Sequence, residues 1–136
     1  MAVACNAIKH SIQLHVIPDI DSSNVICSVH DDESILVTQR KGLWLMCHTR
    51  TVSGWAHCTT LIPAHLPATF VVNDTLPKDA MIRLRTEPVE IDSTVGNTVC
   101  PGTIVTVLEV QPDWLKLRVN DGIAWLKRQA GNIPLA

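Results

Sequence analysis

Long apolar runs are missing from this 136-residue chain. No window approaches the ~18 apolar residues that a membrane-spanning helix needs, so no membrane partner is expected. The opening residues, MAVACNAIKH, lack a basic stretch followed by a continuous apolar one, and a secretory signal is not expected either. Glycine occurs only six times and never in a phosphate-cradling loop pattern. Charge of one sign is not in excess: four Lys/Arg face five Asp/Glu in residues 1–66, and seven face eight in the remainder. Phosphate neutralisation needs clustered Lys/Arg, so the composition points to no nucleic-acid partner. The five cysteines, at 5, 27, 47, 58 and 100, are odd in number and without paired short spacing. That pattern fits a reduced compartment, and a cytoplasmic location is expected. Tyrosine is absent and phenylalanine occurs once, so the aromatic content is almost entirely four tryptophans.

Those tryptophans come as two pairs. LWLMCHTRTVSGWAH and DWLKLRVNDGIAWLK each hold two Trp eleven residues apart, and the pairs lie seventy residues from each other. A shift of seventy aligns the halves without a gap. Ile12, Leu14, Pro18, Val25, Val29, Val37, Trp44, Leu45 and Trp55 fall on Ile82, Leu84, Pro88, Val95, Val99, Val107, Trp114, Leu115 and Trp125. Eight of these nine identities are apolar or Trp, which marks a tandem of two related units. Within each unit the period is two. SILVTQ and TIVTVLEV are rich in β-branched residues and read as strands, and no window carries a helical period. Five or so short strands per unit predict a small antiparallel barrel, closed or nearly so. The expected division is residues 1–64 as a first barrel, 65–78 as a linker and 79–136 as a second barrel. Phe70, Val71 and Val72 inside the linker are expected to pack on a barrel or to add a strand.

The hairpin arithmetic places the tryptophans. A two-residue turn at Asp121-Gly122 would set Arg118 opposite Trp125 and Leu117 opposite Leu126. Because faces alternate along each strand, Leu115, Leu117, Val119, Ala124 and Leu126 would form the core face. Trp114, Lys116, Arg118, Trp125 and Lys127 would share the other. In the first unit, Leu45, Cys47, Ala56 and Cys58 would point inward, with Trp44, Met46, His48, Trp55 and His57 outward.

The segment from Met81 to Lys127 resembles the bacterial-type SH3-like domain. The resemblance is carried by Leu84, Arg85 and Pro88, then Val99, Gly102 and Val105, then Trp114 and Leu117, and finally Ala124-Trp125-Leu126. The first unit fits the same pattern through Leu14, Pro18, Val25, Val29, Trp44 and Gly54-Trp55, and departs from it at HDDES, where the usual turn glycine is absent. The resemblance implies two tandem small SH3-like β-barrels and a binding module rather than an enzyme. Proline-binding members rely on several Tyr beside the first Trp. With no Tyr, and with Thr60 and Ala130 near the following tyrosine position, a P-x-x-P ligand is not expected.

The expected ligand surface is therefore the Trp face of each unit: Trp44, Trp55, Trp114 and Trp125, flanked by His48, His57, Arg118 and Lys127. The loop acids Asp19, Asp21, Glu87, Glu90 and Asp92 would form a rim facing a basic residue of the ligand. His15, His48 and His57 map onto Arg85, Arg118 and Lys127, so one unit carries conditional charge where the other carries permanent charge. The adjacent pairs Cys47-His48 and His57-Cys58 point Cys inward and His outward, an awkward geometry for zinc, and neither metal nor cofactor is expected. No sequence around Cys27 or Cys47 matches a thiol-nucleophile pattern. The expected function is a non-enzymatic, peptide- or protein-binding scaffold. The alternatives are a cell-wall glycan- or peptide-binding accessory pair, and a dimerisation module that buries its Trp faces between copies.

Overall fold

A computed structural model of the chain describes residues 2–7, 11–18, 25–30, 33–119 and 122–135. The chain is all-β, with two antiparallel sheets and no α-helix among the described residues. Among the described residues, single 3-10 turns interrupt the strands at Cys58–Thr60, Asp92–Thr94 and Arg128–Ala130. Contacts divide the chain into two compact units, Met1–His65 with Leu135–Ala136, and Leu66–Pro134.

The first unit holds β1 (Val3–Ala7), β2 (Ser11–His15), β3 (Val25–His30), β4 (Ile35–Lys41), β5 (Trp44–His48), β6 (Ser53–His57) and β7 (Leu61–Pro63). The second holds β8 (Ala68–Val72), β9 (Ile82–Arg85), β10 (Val95–Val99), β11 (Ile104–Val110), β12 (Trp114–Val119), β13 (Gly122–Lys127) and β14 (Gly131–Asn132). Pairing runs β3-β2-β6-β5-β4-β1-β7 in one sheet and β10-β9-β13-β12-β11-β8-β14 in the other. The two orders are the same, strand for strand. Even the irregularity recurs: the β4–β5 register slips between Val37 and Gln39, and the β11–β12 register slips seventy residues later, between Val107 and Glu109. No pairing joins the terminal strands of either sheet among the described residues, so each is an open seven-stranded ladder rather than a closed barrel.

Two expectations need correction. The expected linker, residues 65–78, supplies β8, which pairs with both β11 and β14 and so lies inside the second sheet. Its counterpart is β1, which pairs with β4 and β7 in the same way. An ungapped shift of seventy cannot reveal this, because β1 and β8 are related by a shift of sixty-five. Nine residues separate β8 from β9 and three separate β1 from β2, and because β9 begins one residue later in its repeat than β2 does, the offset between the units changes by five. The second correction concerns register. Val119 lies opposite Gly122, Lys116 opposite Trp125 and Trp114 opposite Lys127, so the pairing extends to Gly122, and the expected turn falls partly on positions 120 and 121, which lie outside the described residues. Gly122 is a strand residue. The register differs by two from the expected one, and with a side-chain period of two that leaves every face unchanged.

The cores follow the alternation. Leu45, Cys47, Ala56 and Cys58 are fully buried in the first unit, with Leu14, Val29, Ile35, Val37 and Leu61. In the second, Phe70, Val72, Leu84, Val107, Leu115, Leu117, Ala124 and Leu126 form one cluster, and Val119 packs against it. One size exchange relates the two cores. Counterpart positions hold Cys5 and Leu61 in the first unit and Phe70 and Gly131 in the second. A Cβ on Gly131 would stand 2.5 Å from a Leu115 methyl and 3.3 Å from the Phe70 ring. Phe70 thus takes volume that Leu61 fills in the other unit, and glycine makes room for it. Gly102 has a different role. It sits at φ 84° after Pro101, with Thr103 N donating to Cys100 O at 3.2 Å, which is the pattern of a type II turn. Its own N–H donates to Val72 O, tying that turn to β8.

Candidate functional site

Each unit presents the outer face of three adjacent strands, and every tryptophan lies there, half-buried. In the first unit the strands are β2, β6 and β5. Inward Leu45 and Cys47 alternate with outward Trp44, Met46 and His48, and inward Gly54 and Ala56 alternate with outward Ser53, Trp55 and His57. Trp44 is opposite His57, and Met46 is opposite Trp55. Trp44 is gripped between two imidazoles. His15 and His57 each meet its ring edge-to-face, with centroids 5.4 Å away and interplanar angles of 79° and 84°. This geometry sets the positive edge of one ring against the negative face of another.

Both ring nitrogens of His48 are engaged. Thr38 Oγ1 lies 2.8 Å from Nε2 and Ser53 Oγ lies 2.6 Å from Nδ1. The two hydroxyls fix the ring plane. His57 Nδ1 accepts the Thr59 backbone N–H at 3.3 Å, which caps the short 3-10 turn that follows. That bond requires a bare Nδ1, so a neutral His57 carries its proton on Nε2. The Cys47 thiol beneath this face is pushed up to about 12 by burial, with the Cys5 thiol adding to the effect and a backbone bond at Ala56 opposing it. It stays a neutral core group at ordinary pH. The side chain of Cys27 is not among those described.

The second unit carries the same frame with different chemistry. Outward positions are Arg83 and Arg85 on β9, Trp125 and Lys127 on β13, and Trp114, Lys116 and Arg118 on β12. Five of the seven cations in residues 67–136 therefore share one sheet face with both tryptophans. The charge count concealed this, because the compensating acids lie mostly in loops. The Lys116 ammonium stands 5.8 Å from the centroid of the Trp125 ring, within cation–π range.

The expected acidic rim is only partly described. Asp19 and Asp21 lie outside the described residues, and the side chain of Asp92 is likewise not described. Glu87 is exposed. Glu90, though exposed, is engaged by the protein's own cations: Oε2 pairs with Lys127 Nζ, and Oε1 lies 3.9 Å from Arg85 Nη2. Arg85 also donates from Nη1 to Ile91 O at 3.0 Å. The Lys127 hydrogen bond, followed by the charges of Lys127 and Arg85, holds the Glu90 carboxyl below its usual range. Beside this ion pair is a cleft of about 350 Å³ lined by Met81, Ile82, Arg83, Arg85, Glu90 and Lys127, among others.

Sequence reasoning did not single out Arg83, Met81, or the hydroxyls of Thr38 and Ser53. The alternation Ile82-Arg83-Leu84-Arg85 already places Arg83 beside Arg85. The Thr38–His48–Ser53 chain has no such signal, since it depends on strand register. Among the described residues, no group of three or more His, Cys, Asp or Glu could hold a metal ion. Among them, too, no helix is long and apolar enough to cross a membrane.

No protein-family profile matches the chain, and no curated protein matches it. Among solved structures it is similar to that of NlpC2 from Trichomonas vaginalis, with a TM-score of 0.41 and 11% sequence identity over 97% of this chain. The match spans 48% of that protein, so this chain is about half its length.

Proposed function

We propose that the chain is a non-enzymatic interaction module made of two SH3-like units, each binding a protein or peptide through its Trp face. One observation carries the reading: the Trp pair recurs at the same register on the outer face of both sheets, half-buried and flanked by His or Lys/Arg side chains. Trp offers a large, rigid contact area at small entropic expense, and it is enriched at interaction hot spots. The sequence resemblance to the bacterial-type SH3-like domain and the matching strand orders support the tandem. The partner is a peptide segment without a P-x-x-P core, since both faces lack Tyr, and the working compartment is the cytoplasm.

The test compares wild type with a Trp44→Ala/Trp114→Ala variant whose β-sheet signal is checked by circular dichroism. Each is used to capture partners from lysate, and the captured protein is then purified and titrated directly. Loss of direct binding in a folded variant supports the reading. Retained binding places the site elsewhere. A variant that associates differently in solution from wild type, with no partner captured by either, favours burial of the Trp faces between copies.

A further inference from the structure

We infer that the outer face of β9, β12 and β13 receives an acidic peptide, and that Glu90 stands in for one of that peptide's carboxylates in the free protein. This deepens the binding reading above and rests on it.

The charge distribution selects the ligand class. Five cations (Arg83, Arg85, Lys116, Arg118 and Lys127) project from three neighbouring strands, against Glu90 in the flanking loop and Glu109 opposite Lys116 in the β11–β12 register. Among the described side chains of these strands and their partners that is an excess of three positive charges, which favours an anionic ligand. The internal ion pair shows which anion its geometry accommodates. A carboxylate already bridges Lys127 and Arg85, one oxygen towards each.

The segment that delivers it has a composition of its own. Glu90 sits between Val89 and Ile91, residues that are 45% and 53% exposed. Thr94, only 2% exposed, holds this segment through Oγ1, which lies 2.5 Å from Val89 O and 2.8 Å from Ile91 O, the two carbonyls sharing its one proton. An apolar–acidic–apolar tripeptide thus lies against the cations as a segment of an external ligand would. Exposed apolar groups, Met81 at 60% and Ile123 at 47%, lie on or beside the same strands and offer contacts that a phosphate backbone would not use. A peptide alternating acids with Val, Ile or Leu meets both features, and an unpaired polynucleotide meets only the first.

The Glu90 pair is exposed enough to exchange. The Glu90 side chain is 53% exposed and that of Lys127 is 40%, and an ion pair in that setting is held weakly against water and competing ions. A peptide carboxylate can therefore replace Glu90 without opening the core.

The test is an amide NMR titration of the full chain with acetyl-Asp-Val-Glu-Ile-Asp-Val-amide, its Asn/Gln counterpart, and a ten-residue oligothymidylate. Wild type, Glu90→Gln and Arg83→Gln/Lys127→Gln are compared. The acidic peptide should shift resonances of β9, β13 and the loop 87–94. It should bind Glu90→Gln about three- to ten-fold more tightly than wild type, because the internal competitor is gone. Affinity should fall several-fold in the double variant, whose exposed positions leave the core intact, and on raising salt to ~0.5 M. Equal binding of the uncharged peptide, no gain in Glu90→Gln, or tighter binding of the oligonucleotide each overturn the proposal. If the peptide fails while a captured partner still depends on the tryptophans, only the acidic-ligand inference falls. If the peptide binds as expected while partner binding ignores the tryptophans, the Trp-face reading falls instead.

Discussion

At five equivalent outward positions the first unit carries Gln13, His15, Met46, His48 and His57, and the second carries Arg83, Arg85, Lys116, Arg118 and Lys127. The strands that present them are in the same order, and the tryptophans sit at the same register. One scaffold thus holds two different surfaces. The histidine face is stitched by internal contacts, with Trp44 between two imidazoles and His48 between two hydroxyls. The arginine–lysine face is held to one loop by Glu90 and keeps an excess of charge. The comparison separates what the fold requires from what binding can vary. Inward positions change by compensated size exchange, whereas outward positions change in chemistry.

The largest expected effect breaks that compensation. Phe70→Ala removes the only aromatic ring in the second core, from a site that is fully buried. It should destabilise the second unit by about 3–5 kcal/mol in chemical denaturation. Cys5→Ala at the counterpart position removes one sulfur atom, and should lower stability far less. Equal losses at the two sites would mean that Phe70 and Cys5 do not hold equivalent places. Gly131→Ala comes next. Its new methyl would meet Leu115 at 2.5 Å and the Phe70 ring at 3.3 Å, so about 1–3 kcal/mol of overpacking is expected. The double variant Phe70→Leu/Gly131→Ala should recover part of that loss, because the ring that crowds position 131 is gone.

The cores also differ in their response to alkali. Cys47 ionises in the folded chain at about 12, against an ordinary 9.0, while its counterpart Leu117 cannot ionise at all. Between those values the folded state keeps a proton that the unfolded chain loses. Stability therefore falls as pH rises through that window, by at most ~1.4 kcal/mol per pH unit, and the dependence fades within about one pH unit below 9.0. Urea denaturation from pH ~8 to ~10.5 should show this decline for the first unit and a shallower one in Cys47→Val. A slope unchanged by the substitution would mean that another group carries it.

Much of this was legible in the sequence because strand alternation is a local signal. Leu45, Cys47, Leu115 and Leu117 reveal their inward direction by parity alone, and so place every Trp outward whatever the register. The register itself was not legible. Asn120, Asp121 and Gly122 all tolerate turn conformations, and only pairing along the whole strand decides among them. The place of β8 was half legible: Phe70-Val71-Val72 read as a strand, but a five-residue change of offset hid its kinship with β1. The basic face was hidden by arithmetic. Seven cations against eight acids look neutral until β9, β13 and β12 are seen side by side. Glu90 was noticed as a loop acid, but no local rule foretells that its carboxylate folds back on Arg85 and Lys127.

The smallest expected effect sharpens that last point. The Glu90 carboxyl is held below its usual 4.5, first by the hydrogen bond from Lys127, against an opposing desolvation, and then by the charges of Lys127 and Arg85. A depressed carboxyl stabilises the fold while it is ionised in both states, and that contribution is lost as pH falls through the depressed value. The second unit should thus lose a small increment of stability below pH ~4.5, one that salt diminishes, because exposed pairs are screened. Glu90→Gln should remove the increment and leave the rest of the acid transition unchanged. The first unit, which carries Ile20 at the position that a shift of seventy sets against Glu90, should show no such step when its own transition is followed through its amide resonances. If Glu90→Gln leaves the acid limb of the second unit unaltered even at low salt, Glu90 is not anchored to those cations in solution. The loop 87–94 would then owe its position to Thr94 and to the Arg85 bond to Ile91 O.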